Sequence, residues 1–186
     1  MNRLLKSIFV CLCGFVAVTS CNEDDEDAWD SYKDWREANV AFFNEQKYTM
    51  TAEGTNYYQT LSPVWNPSAQ VLIRYLNDRK LTEGNLSPLL TSTVDVKYIG
   101  RMYDGVKFDS SYNLRTNGDS IFRTTPSSVV QGWTIALLNM RVGDSVEVVI
   151  PYGLGYGGTS TGLIKPYSTL IFNMKLVDIP YYEVRP

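Results

Sequence analysis

A chain of 186 residues with 44% hydrophobic content can bury one ordinary domain with appendages, but not two independent cores, and its formal charge of −3 argues against a nucleic-acid-binding footprint. It contains no histidine, which excludes Ser/His and Cys/His catalysis and removes the commonest ligand of a catalytic zinc. Its three cysteines, Cys11, Cys13 and Cys21, precede the body of the chain, which therefore holds neither an internal disulfide nor a thiolate metal cluster.

Arg3 and Lys6 open the chain, and residues 7–18 form an apolar run of signal-peptide proportions, too short to span a bilayer as a stable helix. The run closes on Val18-Thr19-Ser20-Cys21, which resembles the lipobox of bacterial lipoproteins. That resemblance implies a signal peptide over 1–20 and acylation of Cys21. The lipid would anchor the protein in the cell envelope, at the outer membrane. Glu23, Asp24, Asp25, Glu26 and Asp27 repel one another without apolar partners, so 21–27 reads as a solvated acidic tether. An acidic run in this place also resembles the surface-export signal of some Gram-negative lipoproteins. Surface display and a periplasm-facing anchor both stay open.

Residues 28–46 lack Gly and Pro and place Trp29, Tyr32, Trp35, Ala38 and Phe42 at helical spacings, which predicts an amphipathic helix. Its aromatic stripe should dock on the domain that follows or, by self-association, on a second copy. Residues 48–67 read as irregular connection pinned by Tyr57, Tyr58 and Trp65, completing an N-terminal extension over 28–68.

From Gln70 the period becomes two: Val71, Ile73 and Tyr75, then Val94, Val96 and Tyr98, then Val146, Val148 and Ile150, then Leu170, Phe172, Met174 and Leu176. Val129, Trp133 and Leu137 stack at helical spacing between the second and third of these strands. The expected fold is α+β, an antiparallel sheet covered by one short helix. The glycines from Gly153 to Gly162 make one long loop before the last strand; they match no phosphate-loop spacing and lead into a strand rather than a helix.

Five strings in order carry a family resemblance: Val96-Lys97-Tyr98-Ile99-Gly100; Asp104-Gly105-Val106-Lys107-Phe108-Asp109-Ser110-Ser111; Val129-Val130-Gln131-Gly132-Trp133; Met140-Arg141-Val142-Gly143-Asp144; and Gly155-Tyr156-Gly157 with Ser168-Thr169-Leu170-Ile171-Phe172. Together they resemble the FKBP-type peptidyl-prolyl cis-trans isomerases. The resemblance implies an isomerase domain over 69–180, with a five- or six-stranded antiparallel sheet wrapped around one helix. A shallow pocket between helix and sheet would receive a prolyl ring. It implies catalytic roles for Tyr98, Phe108, Asp109, Tyr156 and Phe172, and substrate contacts from Phe122, Val129, Val130, Trp133, Leu163 and Ile164. The chain departs from the family pattern twice: residues 112–120 are longer than in typical relatives, and Thr161 stands where many carry a histidine.

The implied chemistry needs neither cofactor nor metal, because rotation about an Xaa-Pro bond breaks no covalent bond. The implied partners are proline-containing polypeptide clients, exported or surface proteins, with no nucleic acid. A non-catalytic chaperone or binding module of an envelope complex, built on the same fold, is the alternative.

Overall fold

The computed structural model describes residues 28–182. The leader over 1–20, Cys21 and the acidic tether lie outside the described residues.

One helical turn at 28–31 leads into helix α1, Lys33–Tyr48. Seven strands follow: β1 Gln59–Leu61, β2 Val71–Tyr75, β3 Val94–Met102, β4 Lys107–Ser110, β5 Phe122–Thr124, β6 Ser145–Ile150 and β7 Leu170–Asp178. Helix α2, Gln131–Leu138, sits between β5 and β6. The strands form one antiparallel sheet in the order β1-β2-β6-β7-β3-β4, and β5 shares with β4 the outer edge of β3. β5 lies opposite Val94, Asp95 and Val96, and β4 opposite Ile99, Gly100 and Arg101. The sheet is thus six positions wide, as the FKBP-like expectation has it.

Period-two patterning explains the inner face. Val94, Val96 and Tyr98 of β3, Val146, Val148 and Ile150 of β6, and Leu170, Phe172, Met174 and Leu176 of β7 are all buried there. Trp133, Ile135, Ala136 and Leu137 of α2 complete this core. The helix comes close because Gly132 lets it: a Cβ there would lie 2.3 Å from Ile150 Cγ2. Val129 is not on α2. A 3-10 turn over Pro126–Ser128 precedes it, and Val129 itself is extended, at φ −117° and ψ 171°, so the helical spacing with Trp133 begins one turn too early.

The outer face is covered as well. Leu72 of β2 and Val149 of β6 point away from α2, yet both are fully buried, against Phe43 of α1 and Tyr58. Full burial of each such apolar side chain is worth about 1.5–3 kcal/mol, so α1 is held to its own sheet by more than its local helical propensity. The docked face differs from the expected stripe. It runs through Trp35, Arg36, Asn39, Phe42 and Phe43, while Trp29 stays half exposed. Two of these are polar, and Asn39 is wholly buried: its Nδ2 donates to the Trp35 carbonyl at 2.7 Å and its Oδ1 accepts from the Thr169 N–H at 2.5 Å. Every polar atom it buries has a partner, which is what makes the burial tolerable.

The extension over 28–68 also supplies β1, whose Gln59, Thr60 and Leu61 pair with Ile73, Leu72 and Val71. The irregular reading of residues 48–67 therefore missed an edge strand. Three residues, mostly exposed, carry too little alternation to reveal it.

Candidate functional site

Where the sheet curls over the N-terminal end of α2, a cavity of about 330 Å³ opens to solvent. It is lined by Tyr98, Phe108, Asp109, Phe122, Ser128, Val129, Val130, Trp133, Tyr156 and Phe172. Each wall has a local cause. Tyr98 and Phe172 are inward positions of β3 and β7. Phe108 and Asp109 come from β4, and Phe122 opens β5. Trp133 lies in the first turn of α2 and is 4% exposed, so it closes the cavity from below. Tyr156 reaches in from the long loop between β6 and β7.

The aromatic rings meet edge to face throughout. Trp133 lies 5.0 Å from Tyr98, 5.1 Å from Phe172 and 6.1 Å from Phe122, centroid to centroid. Phe108 meets Phe172 at 5.5 Å. Such T-shaped contacts place the positive edge of one ring on the negative face of the next and hold a rigid apolar cup. Gly100 is a hidden requirement for it. A Cβ there would lie 2.6 Å from Phe108 and 2.8 Å from Phe172, so only glycine lets those two rings meet across β3.

Polar groups are few and directed. Tyr98 Oη donates to Asp109 Oδ2 at 2.5 Å, and the Ser110 N–H donates to Asp109 Oδ1 at 2.7 Å. Burial pushes the Tyr98 hydroxyl well above its usual pKa, and the hydrogen bond to Asp109 and that carboxylate's charge push it the same way. Tyr156 is raised too, by burial first and by the charge of Asp109 second. Both phenols are therefore neutral donors at physiological pH. The Val130 N–H, just before α2, has no protein acceptor among the described residues. Where β4 gives way to β5 along β3, the Tyr98 N–H would lack a partner; Ser111 Oγ, fully buried, accepts from it at 2.9 Å.

Of the residues expected at the site, Tyr98, Phe108, Asp109, Phe122, Val129, Val130, Trp133, Tyr156 and Phe172 are brought together in this cavity. Leu163 and Ile164 are not among its lining. Ile164 is buried in the main core and paired with Thr161 in a short bridge, while Leu163 is 65% exposed on the same loop. Sequence reasoning did not single out Ser128, at the rim, nor Gly100 and Ser111 as supports. All three lie within or beside the matching strings, but only the three-dimensional contacts give them a task.

The family model described as FKBP-type peptidyl-prolyl cis-trans isomerase matches residues 85–177. Among curated proteins, the chain is 44% identical over 98 residues to a macrophage infectivity potentiator of Trypanosoma cruzi, covering 52% of this chain and 47% of that protein. It is 39% identical over 104 residues to the FKBP-type peptidyl-prolyl cis-trans isomerase FkpA of Escherichia coli, covering 54% of this chain and 37% of that one. The chain thus spans less than half the length of these two relatives. Among solved structures, a peptidyl-prolyl cis-trans isomerase of Pseudomonas syringae superposes with a TM-score of 0.62 at 26% identity, covering 79% of this chain and 94% of that one.

Proposed function

This chain belongs to the FKBP-type peptidyl-prolyl cis-trans isomerase family, and from that premise we propose that it catalyses rotation about Xaa-Pro bonds in exported or surface polypeptides. The barrier to that rotation, about 18–20 kcal/mol, comes from amide resonance. A pocket lowers it by binding the twisted amide more tightly than either planar form. The observation that carries the reading is the cup around Trp133: aromatic on nearly every side, with the Tyr156 hydroxyl, Asp109 and the Val130 N–H at its edge.

In this account Trp133 is the floor under the prolyl ring, and Phe108, Phe122, Phe172 and Val129 are the walls that exclude water. A dry wall favours the twisted amide, whose charge is less delocalised than that of the planar forms. The Val130 N–H and the Tyr156 hydroxyl hold the substrate carbonyls as the bond turns. Tyr98 fixes Asp109, whose carboxylate faces the rotating carbonyl carbon. Leu163, exposed on the loop, contacts the residues flanking proline, and Ile164 supports the loop from within. No proton is transferred, so a chain without histidine loses nothing by this route.

Cys21 would tether this domain to the outer membrane through its lipid, the acidic run serving as spacer, which puts the pocket among envelope clients. The leader and the Val18-Thr19-Ser20-Cys21 ending support this. Self-association through the N-terminal helical segment would have to use Trp29, Val40 and Tyr48, the large apolar residues it leaves exposed, because Phe43 is spent on its own sheet. Membrane fractionation of Cys21→Ala cells tests the anchor: loss of membrane association and of lipid labelling is expected, and unchanged partitioning would rule the anchor out. For the activity, purified protein should accelerate isomerisation of a short Xaa-Pro peptide, and Trp133→Ala should abolish the acceleration. A well-folded protein without effect on the peptide would defeat the reading.

A further inference from the structure

On the side of the sheet away from the pocket, the chain between the Tyr156 loop and β7 is fastened to the N-terminal helix. The Trp35 indole donates to Ser168 Oγ at 3.2 Å, and Thr169 is bound twice by Asn39, through its N–H at 2.5 Å and its hydroxyl at 3.1 Å. Next to these lies Tyr167, at φ 60°, in the left-handed region that L side chains rarely adopt. Such an outlier persists only where its surroundings over-determine it.

Those surroundings connect two parts of the molecule. On one side, the Tyr167 ring meets Trp29 edge to face at 5.3 Å, and the Arg36 guanidinium, stacked 3.3 Å over Trp29, lies 5.4 Å from the Tyr167 centroid. Arg36 is buried and donates to the Trp29 carbonyl, so this corner is held rigidly. On the other side, the Tyr167 N–H donates to the Gly157 carbonyl at 2.8 Å. Its ring lies against Gly158, where a Cβ would come within 3.1 Å of the phenol oxygen, and it meets Tyr152 at 5.5 Å. Tyr152 in turn accepts the Gly155 and Gly157 N–H groups through its carbonyl. Tyr156 sits between those two glycines. None of Trp29, Arg36 and Tyr167 lines the cavity.

From this geometry we propose that Tyr167 is a positioning residue that couples the N-terminal helical segment to the loop carrying Tyr156. It rests on the isomerase reading above. Trp29 and Arg36 hold the ring, the ring holds Gly157 and Gly158, and the loop then presents Tyr156 to the amide. Loosening the ring leaves the aromatic cup intact but lets Tyr156 wander, so the loss falls on turnover and spares substrate binding.

The test uses the full-length protein and Tyr167→Gly, which accepts the same backbone conformation without strain and removes only the ring. For an Xaa-Pro peptide, kcat should fall about tenfold while KM changes less than about twofold. Tyr167→Phe keeps the ring and should restore kcat to within about twofold of the parent. Trp29→Ala should lower kcat in the same direction, and its combination with Tyr167→Gly should be no worse than Tyr167→Gly alone, because both act through one contact. Amide hydrogen exchange at Gly157 and Thr159 reads the loop without reference to turnover; it should quicken in Tyr167→Gly and Trp29→Ala and not in Tyr167→Phe. An inactive parent with that exchange pattern would overturn the isomerase reading and leave the coupling standing. An active parent whose kcat and loop exchange are untouched by Tyr167→Gly, or multiplicative losses in the double variant, would overturn the coupling alone.

Discussion

Tyr98 reaches diagonally across the β3–β4 pairing to Asp109, which lies opposite Gly100, and its phenol donates to the carboxylate at 2.5 Å at the edge of the aromatic cup. The pair fixes Asp109 in place, and burial first, then the bond to the carboxylate, hold the phenol's proton on. Removing the hydroxyl in Tyr98→Phe keeps the ring contacts with Trp133 and Phe122 but frees Asp109 to rotate. Turnover should fall about tenfold, and stability by about 1 kcal/mol, the usual net worth of such a hydrogen bond. Steady-state kinetics beside a denaturant titration separates the two.

The same phenol makes an alkaline prediction. Tyr98 and Tyr58 both titrate above the ordinary phenol value in the folded protein, Tyr58 through burial first and its hydrogen bond to Glu147 second. A proton held more tightly in the folded state adds stability that is present in full below the unfolded phenol pKa of about 10. That stability drains away as pH rises from there towards the folded-state values. Denaturation midpoints should be level near pH 8 to 9 and decline above about pH 10, more gently in Tyr98→Phe. A decline of equal steepness in that variant would remove Tyr98 from the account.

Gly100→Ala tests the cup from its back wall. The new methyl would meet Phe108 and Phe172 at 2.6 and 2.8 Å. Those rings are side chains of the pocket itself, so relief comes only by opening the cup. The expected cost is about 1–3 kcal/mol of stability from overpacking, together with a larger fall in turnover than any exposed loop substitution gives. A variant with parental kinetics would show that the rings shift without consequence.

Tyr156→Phe isolates one polar contact. Its ring stays, its neutral hydroxyl goes, and Tyr156 is 37% exposed, so the fold should be unchanged within about 0.5 kcal/mol. Turnover should drop about tenfold, equivalent to about 1.4 kcal/mol of transition-state stabilisation. Loss of stability without loss of rate would reverse the role assigned to it.

The strands facing the core were readable from the chain because β3, β6 and β7 alternate cleanly and bury one side. The docking of α1 was readable only in part. Apolar periodicity marks Trp35 and Phe42, but it is blind to Arg36 and Asn39, whose burial depends on partners such as Thr169 that lie far away in sequence. Most of the cup follows from the family-like strings. Leu163 and Ile164 show the limit of such carry-over: they adjoin in a tight turn closed by the Thr161–Ile164 bridge, where one is buried in the core and the other faces solvent, a split that the string of letters does not display. Gly100 was visible as a letter in a motif, and its reason became visible only when Phe108 and Phe172 were seen to meet above it.

The central claim is that an apolar cup, and no titrating group, turns the amide. The direct measurement is the pH dependence of the isomerisation rate between pH 6 and 8, by a protease-free assay on parent and Trp133→Ala proteins. With no histidine in the chain and both pocket phenols raised, the account predicts a rate nearly flat across that range and absent in Trp133→Ala, which should also lose about 3–5 kcal/mol of stability. A steep sigmoidal profile in the parent would contradict it, since an ionising group, Asp109 above all, would then be acting in the chemistry.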